Sequence, residues 1–284
     1  MNKYNLSNQI ASPDGMPVSA AVFTALLCVL FGSNAVAIKV SLTGLGTFTT
    51  AGLRFAMAAV TVSVWAKATG RKFALKPGQL RQLIFISIMF SVQLSLFYMG
   101  LSHTTASRGT LIANLQPFMT LLFAHFLLPE ERMTLRRVLG MSLGFIGVVV
   151  LFFDEHMAAA NVRLGDICIF AAVALWAASA VYSKRIISGL HLFHLVVYPM
   201  FMALPVFWLN AWLWDGRMFG TITPQVVGSL LYQGLVTASF GFVAWNSLLK
   251  RYGTVTLHSF LFLMPVSGLT LAAWLLGDPI PPIS

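Results

Sequence analysis

Long apolar runs separated by short linkers are the feature that most constrains the fold of this chain. A helix needs about 20 apolar residues to cross the hydrocarbon core of a bilayer. Nine candidate runs occur, at residues 18–38, 47–66, 82–101, 107–128, 138–153, 166–186, 192–213, 226–249 and 255–276. Runs of this length indicate helices, which satisfy their own backbone polar groups within lipid. The sequence therefore predicts an all-α fold, a polytopic membrane helical bundle.

The scarcity of charge excludes a soluble globular protein of this size. Of the 284 residues, 58% are hydrophobic and only 9% are charged, whereas soluble domains carry about 25% charged residues. The formal net charge of +10 does not indicate a nucleic-acid partner, because the bases lie in short clusters between apolar runs. We expect membrane lipid, and no nucleic acid, around this chain.

Lysine and arginine are divided unequally between the linkers, which predicts the orientation. If the spans alternate, four bases lie on one side: Lys39, Arg108, Arg163 and Arg217. Thirteen lie on the other: Lys3, Lys67, Arg71, Lys72, Lys76, Arg81, Arg132, Arg136, Arg137, Lys184, Arg185, Lys250 and Arg251. Because basic loops stay in the cytoplasm, we predict a multi-pass inner-membrane protein with a cytoplasmic N-terminal tail, residues 1–17. That tail lacks the pattern of a cleaved signal peptide.

An internal repeat relates the two halves of the chain. Pro117 begins the segment PFMTLLFAHFLLPE, and Pro265 begins PVSGLTLAAWLLGD, so that an acid follows each proline 13 residues later. Each half would hold five helices, and an odd number inverts the second copy in the membrane. Inverted repeats are typical of secondary transporters, because the two halves can then open to opposite sides.

The repeat also predicts the domain boundaries. Residues 18–153 form the first repeat, 154–164 an external linker, and 165–284 the second repeat. Nine spans are present, and the chain stops at Ser284, where the fifth helix of the second repeat would begin. Either the chain is truncated or the protein lacks this helix; we favour truncation and expect a full-length form with about 20 further apolar residues, a tenth span.

Several segments, in their order and spacing, resemble the drug/metabolite transporter superfamily and, within it, the EamA family of ten-helix carriers. They are FGSNAVAIK (31–39), AGLRF (51–55), NLQPFMTLLFAHFLLPEERMTLRRVLGMSLGFIGVVVL (114–151), GDICIFAAVALWAASAVYSKR (165–185), FGFVAWNSLLKRYG (240–253) and FLFLMPVSGLTLAAWLLGD (260–278). The missing tenth helix and Asp278 followed by Pro279 depart from the family pattern. The resemblance implies export of amino acids or similar metabolites without ATP.

Polar and aromatic side chains in mid-span are the candidates for a substrate site. Polar groups are costly in hydrocarbon unless they face a bundle interior, and aromatic rings give a large contact area with few rotors. The predicted substrate-binding residues are Asn34, Tyr98, Gln116, Trp176, Trp245 and Asn246. Gln93, Asn114 and His258 are weaker candidates, and His258 is the candidate for proton coupling. Interhelical hydrogen bonds and lipid contact are the alternative interpretations.

Other residues within or beside the spans have structural and functional interpretations. Pro117 and Pro265 each remove a helical hydrogen bond, and we interpret them as hinges beside a central cavity, with simple packing kinks as the alternative. Arg54 is the one base well within a span; we expect it to pair or to extend towards the helix end, in preference to binding a substrate carboxylate.

Two local patterns near the span ends complete the candidate residues. Glu130 and Glu131 lie with Arg132 after the fourth span, where they form either an ion-pair gate or a solvated turn. Gly140, Gly144 and Gly147 place small residues on one helix face, which predicts close helix packing there.

The motifs of enzymes and ATP-driven pumps are absent from the sequence. It has no phosphate-binding glycine loop, nucleophile elbow or paired carboxylates, and His191 and His194 have no acid or cysteine beside them to complete a metal site. We therefore predict no catalytic residues, metal or cofactor. The preferred hypothesis is a secondary transporter that moves a small molecule by alternating access. A non-transporting scaffold, an intramembrane enzyme and an importer of sugars or nucleotide sugars remain the alternatives.

Overall fold

Each of the nine predicted spans contains helix in the computed structural model, which describes residues 16–71, 74–104, 106–152 and 164–276. The helices are α1 (Val18–Ser41), α2 (Thr47–Ala68), α3 (Gln79–Ser102), α4 (Ala106–Ala113), α5 (Gln116–Leu127), α6 (Leu135–Phe152), α7 (Leu164–Ile186), α8 (Leu192–Trp214), α9 (Pro224–Leu231), α10 (Phe242–Tyr252), α11 (Thr254–His258) and α12 (Leu263–Leu276). A π-helical segment, Tyr232–Gly241, joins α9 to α10, and a 3₁₀ segment, Ser259–Phe262, joins α11 to α12.

Eight stretches of these helices are long and apolar enough to cross a membrane. They are Val18–Ser41, Thr47–Ala68, Gln79–Leu101, Arg108–Leu127, Leu164–Ile186, Leu192–Trp214, Pro224–Tyr252 and Thr254–Leu271. The remaining predicted span, 138–153, corresponds to α6, which has 18 residues. This helix begins three residues before the predicted run. Many large apolar side chains on the outer surface are exposed, as lipid contact requires. The prediction of an all-α polytopic membrane bundle is confirmed.

The most extensive helix contacts join one predicted half of the chain to the other. Helix α3 packs on α7 and α8, α2 packs on α8, α1 packs on α12, and α5 packs on α7. The ring of Phe55 on α2 stacks on that of Phe207 on α8, with centroids 5.4 Å apart, and Phe90 on α3 meets Phe55 edge-on at 5.2 Å. The core therefore lies between the halves, so that any space between them is enclosed by both.

The helix ends fall into two groups, which we call the basic end and the far end. At the basic end α2, α7 and α10 finish and α3, α8 and α11 begin. Gln79 at the start of α3 donates a hydrogen bond to the carbonyl of Gly189 before α8, at 2.6 Å, and Lys184 on α7 donates to the carbonyls of Leu249 and Lys250, both at 3.0 Å. At the far end α1, α3 and α8 finish and α2, α4, α7 and α9 begin.

Parts of the predicted organisation lie outside the described residues. These are residues 1–15 of the N-terminal tail, residues 154–163 of the linker, and residues 277–284, including Asp278. The inverted relation of the two halves stays a prediction, as do the domain boundaries.

Candidate functional site

A cavity of about 270 Å³ lies inside the bundle, between the predicted halves. Its wall is built by α1, α2, α3 and α5 from the first half and by α7, α8, α10, α11 and the start of α12 from the second. Most lining side chains are apolar or aromatic, with a small number of polar groups among them. Sites for small molecules usually have this composition.

Five of the six residues that the sequence predicts for the substrate site line this cavity: Asn34, Gln116, Trp176, Trp245 and Asn246. Asn34 already accepts a hydrogen bond from the hydroxyl of Thr237 at 2.9 Å, and Asn246 donates one to the carbonyl of Phe242, also at 2.9 Å. The ring of Trp245 stands edge-on to that of His258, with centroids 5.7 Å apart. The side chains of Asn34, Trp245 and Asn246 are therefore held in place by these neighbours.

Tyr98 is the exception, since it does not line the cavity. It lies one turn beyond Leu94, the last residue of α3 in the cavity wall, on the way to the far end. Its ring packs edge-on against Phe48 and Phe97, at 5.7 and 6.3 Å. The sequence interpretation placed it in the site because mid-span position alone does not say which face of a helix points inward.

Gln93 and His258, the weaker candidates, both lie in the cavity wall, whereas Asn114 does not. The side chain of Asn114, just after α4, donates to the carbonyl of Thr110 in the last turn of that helix, at 2.8 Å. His258 is buried, and its Nδ1 bonds to the carbonyl of Thr254 at 2.8 Å. The Oε1 atom of Gln93 is buried without a hydrogen-bond partner.

The position of Arg54 contradicts a second expectation from the sequence, that it would pair or extend towards the helix end. It neither extends to the helix end nor pairs with an acid in the described part of the chain; only 7% of it is exposed, and it lines the cavity. The reason is its position seven residues inside α2, a helix that packs on α8 and on the π-helical segment. The sequence did mark Arg54 as unusual, because a single base inside a span is rare. It did not show that this side chain lies in the wall of the cavity.

Other lining residues were missed by the sequence interpretation. Ser179 and Ser183 are one turn apart on α7, and Pro199 lies inside α8. The spacing of the serines, four residues within an apolar run, is a signal that could have indicated them.

Both predicted hinge prolines follow an irregular stretch of helix. The helix break at residues 114–115 separates α4 from α5, and Pro117 lies in the first turn of α5. Pro265 follows the 3₁₀ segment in the same way, in the first turn of α12. A proline ring clashes with the carbonyl four residues before it, which explains why both irregularities precede the proline. Neither proline lines the cavity, and their role as hinges stays a prediction.

Contacts between the two predicted halves hold the far end of the bundle together. The backbone N–H of Gly46 donates to the carbonyl of Met218 at 3.0 Å, and that of Gly220 donates to Gly44 at 2.8 Å. The carboxylate of Asp215 accepts the backbone N–H groups of Phe48 and Thr49 at 3.0 and 2.8 Å, at the N-terminus of α2. A carboxylate at a helix N-terminus is favourably placed for the helix dipole.

A second acid holds another helix at the same end. Asp166, in the first turn of α7, accepts hydrogen bonds from the hydroxyl of Thr104 at 2.6 Å and from Arg108 at 2.5 and 3.2 Å. Asp166 and Asp215 belong to the second half, and all their partners named here belong to the first. Separating the halves at the far end would therefore break every one of these bonds.

The cavity is displaced towards the basic end. Ser183, Leu195 and Leu249 line it only three residues from the ends of their helices, which is about 5 Å at 1.5 Å per residue. Towards the far end, Asn34 and Arg54 lie seven residues from theirs, about 10 Å. The cavity thus lies nearer the basic end, and the bonds between the halves described above lie at the opposite end of the bundle.

The structure does not place Glu131, at the basic end, in a solvated turn. Only 7% of it is exposed, and its two carboxylate oxygens accept the backbone N–H groups of Thr254 and Val255 at 2.9 and 2.7 Å. It therefore caps the N-terminus of α11 across the boundary between the halves. A side chain at Gly253 would meet this carboxylate at 2.8 Å, and its φ of +88° also favours glycine.

Histidines at the basic end have the geometry of a packed turn. The rings of His191 and His194 are 6.0 Å apart, and no group of three or more metal-ligating side chains occurs in the part of the chain that the structure describes. Burial lowers the pKa of His191, and the nearby charge of Arg71 lowers it further.

Comparison with known proteins decides the family. The model of the EamA-like transporter family matches residues 18–153 and again residues 163–284. The chain belongs to the EamA-like transporter family. It is therefore a multi-pass membrane transporter, as its apolar helices also indicate. The family assignment from sequence motifs is confirmed.

Curated relatives of this EamA-like chain cover most of its length. A probable amino-acid metabolite efflux pump of Escherichia coli (strain K12) is 28% identical over 268 residues, 90% of this chain and 87% of the relative. A probable terminal-alkyne amino-acid exporter of Streptantibioticus cattleyicolor is 25% identical over 287 residues, 95% of this chain and 90% of the relative. One solved crystal structure is similar in fold, with a TM-score of 0.80 at 18% identity over 93% of this chain and 91% of that one.

Proposed function

We propose that this transporter is a secondary carrier that exports amino acids or related small metabolites by alternating access. The observation that carries the proposal is the cavity between the halves, which lies nearer the basic end, while Asp166 and Asp215 hold the halves together at the far end. A carrier that loads substrate from one side needs this arrangement in one of its two states. The names of the two relatives support amino acids as the substrate class.

The proposed orientation makes the basic end cytoplasmic, so that the cavity faces the side from which an exporter loads. The excess of lysine and arginine at that end supports it. Accessibility labelling of single cysteines in intact cells tests this arrangement: a site between Lys67 and Arg81 should be protected, and a site at Arg163 should react. Labelling of both from the same side would refute the inverted arrangement of the halves.

The walls of the cavity carry the proposed contacts with substrate. Trp176, Gln116 and Asn246 line it, so each change to alanine should reduce transport. Trp212 is the matched control for Trp176, because 74% of it is exposed on the outer surface of α8. The change Trp212→Ala should leave transport unchanged.

The decisive experiment is transport by purified protein in liposomes loaded with labelled amino acids. Efflux by the native chain, with and without a pH gradient, tests both substrate class and proton coupling, for which His258 in the cavity wall is the candidate. Unchanged efflux in Trp176→Ala, Gln116→Ala and Asn246→Ala would remove this cavity from the mechanism. Uptake of sugars or nucleotide sugars, with no movement of amino acids, would favour the importer instead.

A further inference from the structure

Arg54 is the one residue with a permanent charge among the described residues that line the cavity. Its guanidinium lies over the ring of its neighbour Phe55, with Cζ 4.5 Å from the ring centroid. The Nε atom is buried and has no hydrogen-bond partner. A buried donor without an acceptor is unfavourable, and more so when it carries charge.

No acid in the described part of the chain is available to pair with Arg54. Asp166 bonds to Thr104 and Arg108, Asp215 to the start of α2, and Glu131 to the start of α11. Glu130, the fourth described acid, is exposed beyond the end of α5. The contact with the Phe55 ring offsets only part of the cost of burying a cation. The cation is therefore retained at an unfavourable site, as functional residues commonly are.

A second unsatisfied atom lies in the same wall. Gln93 on α3 is buried, and its Oε1 has no hydrogen-bond partner. The cavity thus presents an unused cationic donor from α2 and an unused amide acceptor from α3, amid the aromatic rings of Phe90, Phe242 and Trp245. A zwitterion with an apolar side chain has the complementary groups: a carboxylate, an ammonium group and an apolar surface.

We propose that Arg54 binds the carboxylate of the transported substrate, and that the amide oxygen of Gln93 accepts a hydrogen bond from its ammonium group. This inference rests on the proposed function, because it takes the cavity as the transport site. Arg54 then selects for substrates with a carboxylate. Gln93 distinguishes an amino acid from the corresponding acid without nitrogen, and the aromatic wall accommodates the side chain.

The test uses four related probes on the purified full chain in liposomes. Phenylalanine has both charged groups, phenylpropionate lacks the ammonium, and phenethylamine and phenylalaninamide lack the carboxylate. The native chain should transport phenylalanine at least about tenfold faster than either probe without a carboxylate, because losing a hydrogen bond between charged groups weakens binding by about that factor or more. Arg54→Gln should abolish that preference, and Arg54→Lys should keep part of it because the charge remains.

The change Gln93→Leu should reduce only the preference for phenylalanine over phenylpropionate. Thermal unfolding distinguishes binding from a structural role: because the buried Nε of Arg54 has no hydrogen-bond partner, Arg54→Gln should leave the melting temperature unchanged or raise it. A lowered melting temperature with the preference for carboxylate intact would overturn the proposal. If the native chain transports phenethylamine and phenylalaninamide as fast as phenylalanine, the inference about Arg54 fails, whereas the proposed transport function stands. If it transports no amino acid or analogue, the proposed function itself fails.

Discussion

Leu45 and Phe219 lie opposite each other in an antiparallel bridge that joins the turn between α1 and α2 to the segment between α8 and α9. The flanking backbone bonds run from Gly46 to Met218 and from Gly220 to Gly44, at 3.0 and 2.8 Å. The pair lies between these bonds, the arrangement in which opposing Cα atoms are about 4.5 Å apart. Two cysteines can form a disulfide at that distance.

This pair allows the far end to be locked. We expect Leu45→Cys with Phe219→Cys to form a disulfide on mild oxidation and to stop transport, because the far end could no longer open. A reductant should restore transport, which is measured as efflux from liposomes. The native thiols, Cys28 and Cys168, are replaced by alanine in all variants. Each single cysteine variant should transport equally with and without oxidant. Full transport by the cross-linked protein would show that the far end is not a gate.

The fold could be predicted from the sequence because each span carries its own signal. A membrane helix satisfies its backbone internally, so the apolar runs alone fixed the helices to within a few residues, as with α1 and α8. The local sequence also indicated where helices are interrupted, since Pro117 and Pro265 follow the two irregular stretches that precede α5 and α12.

The site was less predictable because it depends on which helix face points inward. Tyr98 and Gln93 are five residues apart on α3, yet only Gln93 lines the cavity. In lipid the outward and inward faces are equally apolar, so no hydrophobic stripe indicates the difference. The partners of Glu131 and Asp215 lie more than a hundred residues away, and no local pattern reports such a contact.

The ion pair between Arg108 and Asp166 should couple the halves energetically. Their side chains are only 12% and 7% exposed, so solvent screens the pair less than a surface pair. A double-mutant cycle of Arg108→Gln and Asp166→Asn, measured by thermal unfolding, should give a coupling energy of about 1 kcal/mol or more. Arg217, an exposed base at the same end, is the control and should show no coupling to Asp166. Additive effects of the first pair would contradict its role in closing the far end.

Glu131 should stabilise the protein through its two backbone bonds, whereas its neighbour Glu130 should not. The change Glu131→Ala leaves the N–H groups of Thr254 and Val255 without these acceptors, and losing a helix cap costs about 1 kcal/mol. We expect the melting temperature of purified protein to fall by about 2 °C or more. Glu130→Ala is the matched control, because that side chain is exposed. Equal effects of the two changes would refute the cap.

The three glycines of α6 should respond differently to alanine, although the sequence grouped them as one packing face. A Cβ at Gly144 would come within 2.6 Å of the ring of Phe262, whereas at Gly140 and Gly147 it would meet nothing within 4 Å. Overpacking costs about 1–3 kcal/mol, so Gly144→Ala should lower the melting temperature. Gly140→Ala and Gly147→Ala should leave it unchanged or raise it slightly, because alanine is the better helix former. If all three changes are tolerated equally, α6 does not pack against the 3₁₀ segment as closely as the structure places it.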